Sequence, residues 1–229
     1  MTKTKDIKLD IFIKIVLTVL FFLVLVFVSA GTLDWPEAWL FMFILLGYGI
    51  PVGLWLKKHD PVLLKKRMEL DKPVKTWDRI IMAFSSVFFI AALFVAGFDA
   101  IRYRWSQIPL IIESIAFIGI FLSFVWVFLV IKENTYLSRI VEVQKKRHHK
   151  VITTGPYSYV RHPMYVAVVL MTIFIPIALG SWYALIPSVI AGLFMVARTY
   201  FEDKMLQKEL VGYKAYAKKV RYRLVPGLW

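Results

Sequence analysis

The sequence predicts an all-α integral membrane helical bundle of about six transmembrane helices, with both termini cytoplasmic. Three observations carry this. Of the 229 residues, 59% are hydrophobic, and mean hydropathy is +0.67, against the roughly 45–50% apolar content of soluble domains. The apolar residues come in six long runs, most of them near the ~20 residues that cross ~30 Å of hydrocarbon. They do not alternate as barrel strands do. All of the 29 Lys and Arg residues except Arg102 and Arg104 fall where successive crossings would return the chain to one side. That pattern is the positive-inside signature, so the net charge of +14 reports topology rather than nucleic-acid binding. Cysteine is absent, which excludes disulfides, thiolate metal sites and cysteine nucleophiles.

The elements follow in order. A charged start, 1–10, precedes the first run, Ile11–Ala30. This run is long for a signal peptide and shows no small-residue cleavage pattern, so it reads as a membrane helix. An acidic turn, Gly31–Glu37, leads to a second run, Trp39–Leu56, broken by Gly47, Gly49, Pro51 and Gly53. Residues 57–79 are basic and contain Asp60-Pro61, a helix-start signal. They read either as a short helix on the membrane surface or as a solvated loop. The third and fourth runs are Ile80–Phe98 and Pro109–Ile131, joined by a short outer loop. Glu113 lies one turn inside the fourth. An intramembrane carboxylate is a functional candidate, and the alternatives are the outer interface or a pair with Arg102 or Arg104. A long polar segment, 132–161, precedes a short fifth run, Met164–Leu179. The pair Gly180-Ser181 reads as a tight turn into the sixth run, Tyr183–Phe201. A basic amphipathic tail closes the chain. The organisation divides into N-terminal helices, 1–129, and a C-terminal core, 130–229.

Two polar clusters stand out against this background. One is Gly155-Pro156-Tyr157-Ser158-Tyr159-Val160-Arg161-His162-Pro163-Met164-Tyr165, and the other is Arg198-Thr199-Tyr200-Phe201-Glu202-Asp203. Proline favours the first helical position, so Pro163 opens the fifth helix and its first-turn N–H groups face the interface. Such a helix start suits an anion. Arg198 and Glu202 share a face by their i,i+4 spacing. A tight hairpin between the fifth and sixth helices brings His162 and Glu202 to one membrane level. An interfacial Arg198–Glu202 ion pair and an inside-positive role for Arg161 are the bland alternatives. His148, His149 and His162 match no metal-ligand spacing, and their basic surroundings disfavour a cation.

At these residues the chain resembles the isoprenylcysteine carboxyl methyltransferase family of integral membrane enzymes, within a wider group that includes phospholipid N-methyltransferases. The resemblance rests on the Gly155–Tyr165 stretch with its Arg-His-Pro-x-Tyr element, the Arg198-x-x-x-Glu202 helix end and the Gly212-Tyr213-x-x-Tyr216 tail. It covers roughly residues 130–226. It implies S-adenosyl-L-methionine as cofactor, bound from the cytoplasm by Gln144, His149, Lys150, Val151, Ile152, Tyr157, His162, Pro163, Met164, Tyr165 and Glu202. It implies that Arg198 faces a substrate carboxylate and that Arg198 and Glu202 are catalytic. The implied activity is carboxyl methylation of an isoprenylcysteine-like compound. The implied partners are a lipophilic or lipid-anchored substrate and membrane lipid. Independently of the resemblance, the charge distribution argues for no nucleic acid, the histidine spacing for no metal, and the lack of a retention signal for a prokaryotic inner membrane with the active site facing the cytoplasm. Three features depart from the pattern. Ala167 stands where relatives often have glycine, Asp203 replaces a second glutamate, and the Gln144–His149 spacing is short.

Other classes share parts of this signature. Membrane sterol and steroid reductases use NADPH and have a similar Arg-His-Pro-x-Tyr element and a Tyr-Arg-x-x-Pro ending, here Tyr222–Pro226. Their motif usually carries Asn after the proline, where this chain has Met164. A phospholipid N-methyltransferase would need a base for its amine, with Glu202 or His162 as candidates. A transporter or scaffold would place polar groups at mid-membrane, whereas the charges here gather at one face.

Overall fold

The computed structural model describes residues 2–68 and 75–229. Every regular element among them is helical. The long helices are α1 (Thr2–Ala30), α2 (Pro36–His59), α4 (Thr76–Ala96), α5 (Leu110–Glu133), α6 (Pro163–Ala178) and α7 (Leu185–Glu209), with the short α3 (Pro61–Met68) and α8 (Tyr213–Lys219). By length and composition α2, α4 with its continuation to Arg102, α5 and α7 can each cross a membrane. The apolar Val19–Ala30 part of α1 and the 16-residue α6 are shorter.

Packing follows composition. Leu25, Val26, Phe27, Trp35, Phe41, Leu93, Ile120, Ile175 and Leu179 form the main buried cluster, shared by α1, α2, α4, α5 and α6. Phe43, Leu54, Val87, Leu110, Ile118, Phe121 and Leu193 remain exposed. Large apolar side chains pointing outward from every long helix are what a hydrocarbon surround requires, since they gain nothing from water. Where helices approach closely, glycine makes room. A Cβ on Gly119 would lie 2.6 Å from the Phe174 ring, and one on Gly97 would lie 2.7 Å from the Ala30 backbone nitrogen.

The ends of the helices set the two polar poles of the bundle. At one pole α4 unwinds through a π-helical turn, Gly97–Arg102, which brings buried Asp99 against the α6–α7 connection. Asp99 accepts from Ser106 Oγ at 2.6 Å, Ser181 Oγ at 2.5 Å and the Tyr183 N–H at 3.3 Å. This cluster changes the expected two-residue turn. Trp182, Tyr183 and Ala184 give their N–H groups to Ser106, Asp99 and Ser181, so α7 starts at Leu185 and the connection spans 179–184. Nor does Arg102 pair with Glu113. It donates to the Val28 carbonyl at 3.3 Å and lies over Phe98.

At the other pole lie the start of α4, the end of α5, the start of α6 and the end of α7. The basic segment folds there as α3. Asp60 Oδ1 caps it by accepting the Leu63 N–H at 2.9 Å, and Leu63 is fully buried against Val127 and Ile131. Of the expected surface helix, then, the helix is present but one face is built into the bundle. Residues 69–74 of that segment lie outside the described residues.

Candidate functional site

Between these helix ends is a cavity of about 460 Å³. Its walls come from α3 (Arg67), α4 (Met82), the 134–142 and 149–152 loops, the start of α6, α7 (Met195, Arg198, Glu202, Leu206) and α8 (Tyr213, Tyr216). The apolar side chains Met82, Val168 and Met195 line it beside Arg198, while Glu142, His149 and Lys150 belong to the polar loops. The site is therefore amphipathic, and the crossover lies near Arg198 and Glu202.

The Arg-His-Pro-x-Tyr turn is held by the C-terminal tail. The Arg161 and His162 N–H groups donate to the Tyr222 and Arg223 carbonyls at 2.9 and 3.0 Å. Behind the turn sits Asp203, fully buried and absent from the cavity wall. Arg161 grips it through Nε and Nη2 at 2.7 and 3.1 Å. Arg223 Nε adds a third charged contact at 3.0 Å, and Gln207 a neutral one at 2.8 Å. Tyr213 donates its hydroxyl to the same carboxylate at 3.0 Å. Since that proton goes to Asp203, His162 Nε2 is the donor toward both oxygens, 3.3 Å from Asp203 and 3.2 Å from Tyr213. Burial, then the Asp203 charge, push the Tyr213 hydroxyl far above its ordinary pKa. It stays a neutral donor.

α6 begins at Pro163 with His162 before it, as expected from the sequence. The anion site expected there is thinner than the sequence suggests. Pro163 has no N–H, and the Tyr165 and Val166 N–H groups return to the His162 carbonyl at 3.1 and 3.4 Å. Only the Met164 N–H lacks a backbone acceptor among the described residues. Tyr165 is 9% exposed and donates its hydroxyl to Glu202 Oε2 at 2.5 Å.

Arg198 does not make the Arg198–Glu202 ion pair that was the bland alternative. Its Nε and Nη2 reach Asp78 at 2.6 and 3.2 Å, and Nη2 also reaches the Arg139 carbonyl at 2.8 Å. Asp78 lies in the first turn of α4 and is wholly buried. α4 packs along α7, which puts that carboxylate beside the arginine and leaves Glu202 to Tyr165. The Arg198 guanidinium also lies 5.6 Å from the Tyr165 ring centroid. Its Nη1 meets no acceptor among the described residues.

The sequence-expected site residues divide cleanly. His149, Lys150, Val151, Ile152, Tyr157, His162, Pro163, Met164, Tyr165, Arg198 and Glu202 all line the cavity. Gln144 does not. It is 5% exposed, donates to the Tyr136 carbonyl at 2.9 Å and accepts from Arg147 at 2.9 Å. The 144–149 segment is short and turns through a 3-10 helix, which ties Gln144 inside the loop. His149 stacks on Tyr136 with centroids 4.3 Å apart. Its Nδ1 accepts the Gln144 N–H at 3.3 Å, so Nε2 carries the proton.

Sequence reasoning missed Asp78, Arg67, Asn134 and Arg139. Asn134 caps α5, and its Nδ2 donates to the Tyr157 hydroxyl at 2.7 Å. Burial pushes that hydroxyl well above its ordinary pKa. Asp78 had one visible signal, an acid at the foot of an apolar run inside a basic segment. Arg67 and Arg139 had none that separates them from topology-setting charges.

The comparison with protein families bears on the choice between the enzyme classes. Residues 110–208 match the model of the isoprenylcysteine carboxyl methyltransferase (ICMT) family. The match covers 99 of the 229 residues. It runs from the first residue of α5 to the penultimate residue of α7 and contains both polar clusters. The match supports a methyltransferase reading of the chain. Four of the described helices are long and apolar enough to cross a membrane, as such an enzyme requires. A comparison with curated proteins gives no match.

Proposed function

We propose that the chain transfers a methyl group from S-adenosyl-L-methionine to a lipophilic acceptor at the membrane interface, most simply to a carboxylate. The observation that carries this reading is the amphipathic cavity in which Arg198 and Glu202 stand between a polar loop and the apolar side chains of α4, α6 and α7.

The residues fit the cofactor. A cavity of about 460 Å³ falls within the ~300–1,000 Å³ usual for ligand sites. Glu202 offers a carboxylate to a cationic ligand, and Tyr157, Tyr165 and the Tyr136–His149 stack offer aromatic surface. Bound S-adenosylmethionine supplies an electrophilic methyl group on a sulfonium. Glu202, fixed by the Tyr165 hydroxyl, balances positive charge beside that group. Arg198, fixed by Asp78, presents its Nη1, which meets no acceptor among the described residues, to an acceptor oxyanion. An ionised carboxylate needs no general base, so these side chains act by alignment, which is worth up to ~7–11 kcal/mol in well-oriented pairs. Met82, Val168 and Met195 receive the acceptor's apolar part. The basic pole that carries the site faces the cytoplasm under the positive-inside rule, and α1 and α6 complete six crossings. Isoprenylcysteine-like acceptors and a prokaryotic inner membrane remain the specific form of this reading.

The test is binding of labelled S-adenosylmethionine and NADPH to the purified protein in detergent. Saturable binding of the methyl donor alone is expected. Binding of NADPH without the methyl donor overturns the reading.

A further inference from the structure

The cavity wall holds four arginines of two kinds. Arg161 and Arg198 each grip a buried aspartate, Asp203 and Asp78. Arg67 and Arg139 meet no carboxylate among the described residues. Arg67 Nη1 donates to the neutral Leu137 carbonyl at 3.2 Å. The Arg139 side chain makes no hydrogen bond among the described residues, while its backbone carbonyl holds Arg198. The two carboxylates of the wall are engaged elsewhere, Glu142 by Lys66 at 3.0 Å and Glu202 by Tyr165.

Arg67 is not a surface charge turned toward water. It follows Leu63 by four positions and Leu64 by three, so it shares their face of α3. Leu63 is fully buried and Leu64 packs beside it against Val127 and Ile131. Asp60 fixes the start of the helix. Burial first, then the like charge of Arg139, hold the Arg67 guanidinium below its ordinary pKa, while Arg139 is an exposed residue on the same wall. A desolvated guanidinium with only a neutral acceptor is unfavourable, and a second positive charge beside it adds repulsion. An oxyanion between them removes both penalties, and the guanidinium fork matches one with two hydrogen bonds.

We propose that Arg67 and Arg139 form a second anion site in this cavity, which takes the phosphate headgroup of an amphiphilic ligand. Two guanidiniums that meet no carboxylate among the described residues balance a phosphate dianion. The apolar wall at Met82, Val168 and Met195 takes the chain of the same molecule. The proposal rests on the reading that the cavity holds donor and acceptor together. It gives the acceptor a phosphate in addition to the carboxylate that Arg198 faces.

The experiment titrates the full-length protein in dodecyl maltoside with monododecyl phosphate, and separately with inorganic phosphate, reading tryptophan fluorescence and the thermal midpoint. Wild type is expected to bind the alkyl phosphate saturably and inorganic phosphate at least tenfold more weakly. Arg67→Gln and Arg139→Gln are each expected to weaken alkyl phosphate binding tenfold or more. Arg67→Lys, which keeps charge without the fork, falls between them and wild type. Arg221→Gln, on the exposed tail, leaves binding unchanged. S-adenosylhomocysteine affinity, measured by calorimetry on the same proteins, stays within about twofold of wild type. Alkyl phosphate binding that ignores Arg67 and Arg139 overturns the proposal. So does loss of S-adenosylhomocysteine binding in these variants with alkyl phosphate binding intact. Equal affinity for inorganic phosphate overturns the amphiphile assignment. Failure of wild type to bind S-adenosylhomocysteine strikes instead at the methyl-transfer reading.

Discussion

Arg198 and Asp78 form a bidentate ion pair with nitrogen–oxygen distances of 2.6 and 3.2 Å, and both side chains are almost wholly buried. They lie 120 positions apart in the chain, yet the contact fixes the one arginine that stands where the cavity turns from polar to apolar. Removing the carboxylate leaves a guanidinium desolvated with a single carbonyl acceptor. Breaking such a pair from one side costs about 3–5 kcal/mol. Asp78→Ala is therefore expected to lower the thermal midpoint in detergent markedly, and Asp78→Asn by less, because the amide keeps one acceptor oxygen. The double variant Asp78→Ala with Arg198→Met is expected to be more stable than Asp78→Ala alone, since neither buried charge then lacks a partner. Additive losses would show that the pair is not coupled.

Glu202 carries the second prediction. If its carboxylate balances the sulfonium, Glu202→Gln weakens S-adenosylmethionine binding more than S-adenosylhomocysteine binding, because only the first has the positive sulfur. A loss on the order of tenfold is expected for the sulfonium ligand, in line with a charged hydrogen bond or ion pair of about 1.5–3 kcal/mol. Equal losses for the two ligands place Glu202 against the amino-acid ammonium they share. Calorimetric titration of both ligands separates these outcomes.

Much of this arrangement is legible in the sequence, for physical reasons. Apolar runs and the polarity of their flanks depend on composition alone, so the helical architecture and the basic pole are visible. Pro163 fixes a helix start by its own geometry, and α6 begins there. Side chains from residues 149–165 and from the end of α7 converge because α6 and α7 are adjacent and antiparallel. What the sequence hides are partners chosen by tertiary packing. Helical spacing offered Glu202 to Arg198, but α4 lies along α7 and presents Asp78. Asp203 looks like a conservative neighbour of Glu202, yet a 100° step around the helix places it behind the wall, where it gathers Arg161, His162, Tyr213 and Arg223. The start of α7 is likewise set by tertiary partners, since Ser106 and Asp99 hold the Trp182 and Tyr183 N–H groups in the connection ahead of Leu185.

His149 gives the cavity loop a pH dependence. Burial first, and then the Arg147 charge, lower its pKa from 6.5 to about 4. In the unfolded chain it titrates near 6.5, so between about 6.5 and 4 the unfolded state binds more protons than the folded one. Its contribution to stability is complete above pH 6.5 and is lost as pH falls through that window. The thermal midpoint of wild type is expected to fall more steeply from pH 7 to pH 5 than that of His149→Phe, which keeps a ring against Tyr136 and cannot be protonated. Parallel pH curves for the two proteins would contradict the burial of a neutral imidazole here.

Gln144 supplies the last prediction, because sequence resemblance and structure assign it different work. As a cofactor contact, its loss would act on ligand affinity. In the structure it is a buried clasp that donates to the Tyr136 carbonyl and accepts from Arg147, away from the cavity wall. Arg147 in turn donates to the Thr135 carbonyl at 2.8 Å, so the clasp joins the two ends of the 135–147 loop. Gln144→Ala leaves the Tyr136 carbonyl without that donor, a penalty of about 1–3 kcal/mol for a buried group. The expected result is a lower thermal midpoint with S-adenosylhomocysteine affinity changed less than in Glu202→Gln. Gln144→Glu should lose less stability than Gln144→Ala, since a carboxylate still accepts from Arg147 although it no longer donates to Tyr136. A variant that unfolds normally but fails to bind the ligand would restore Gln144 to the site.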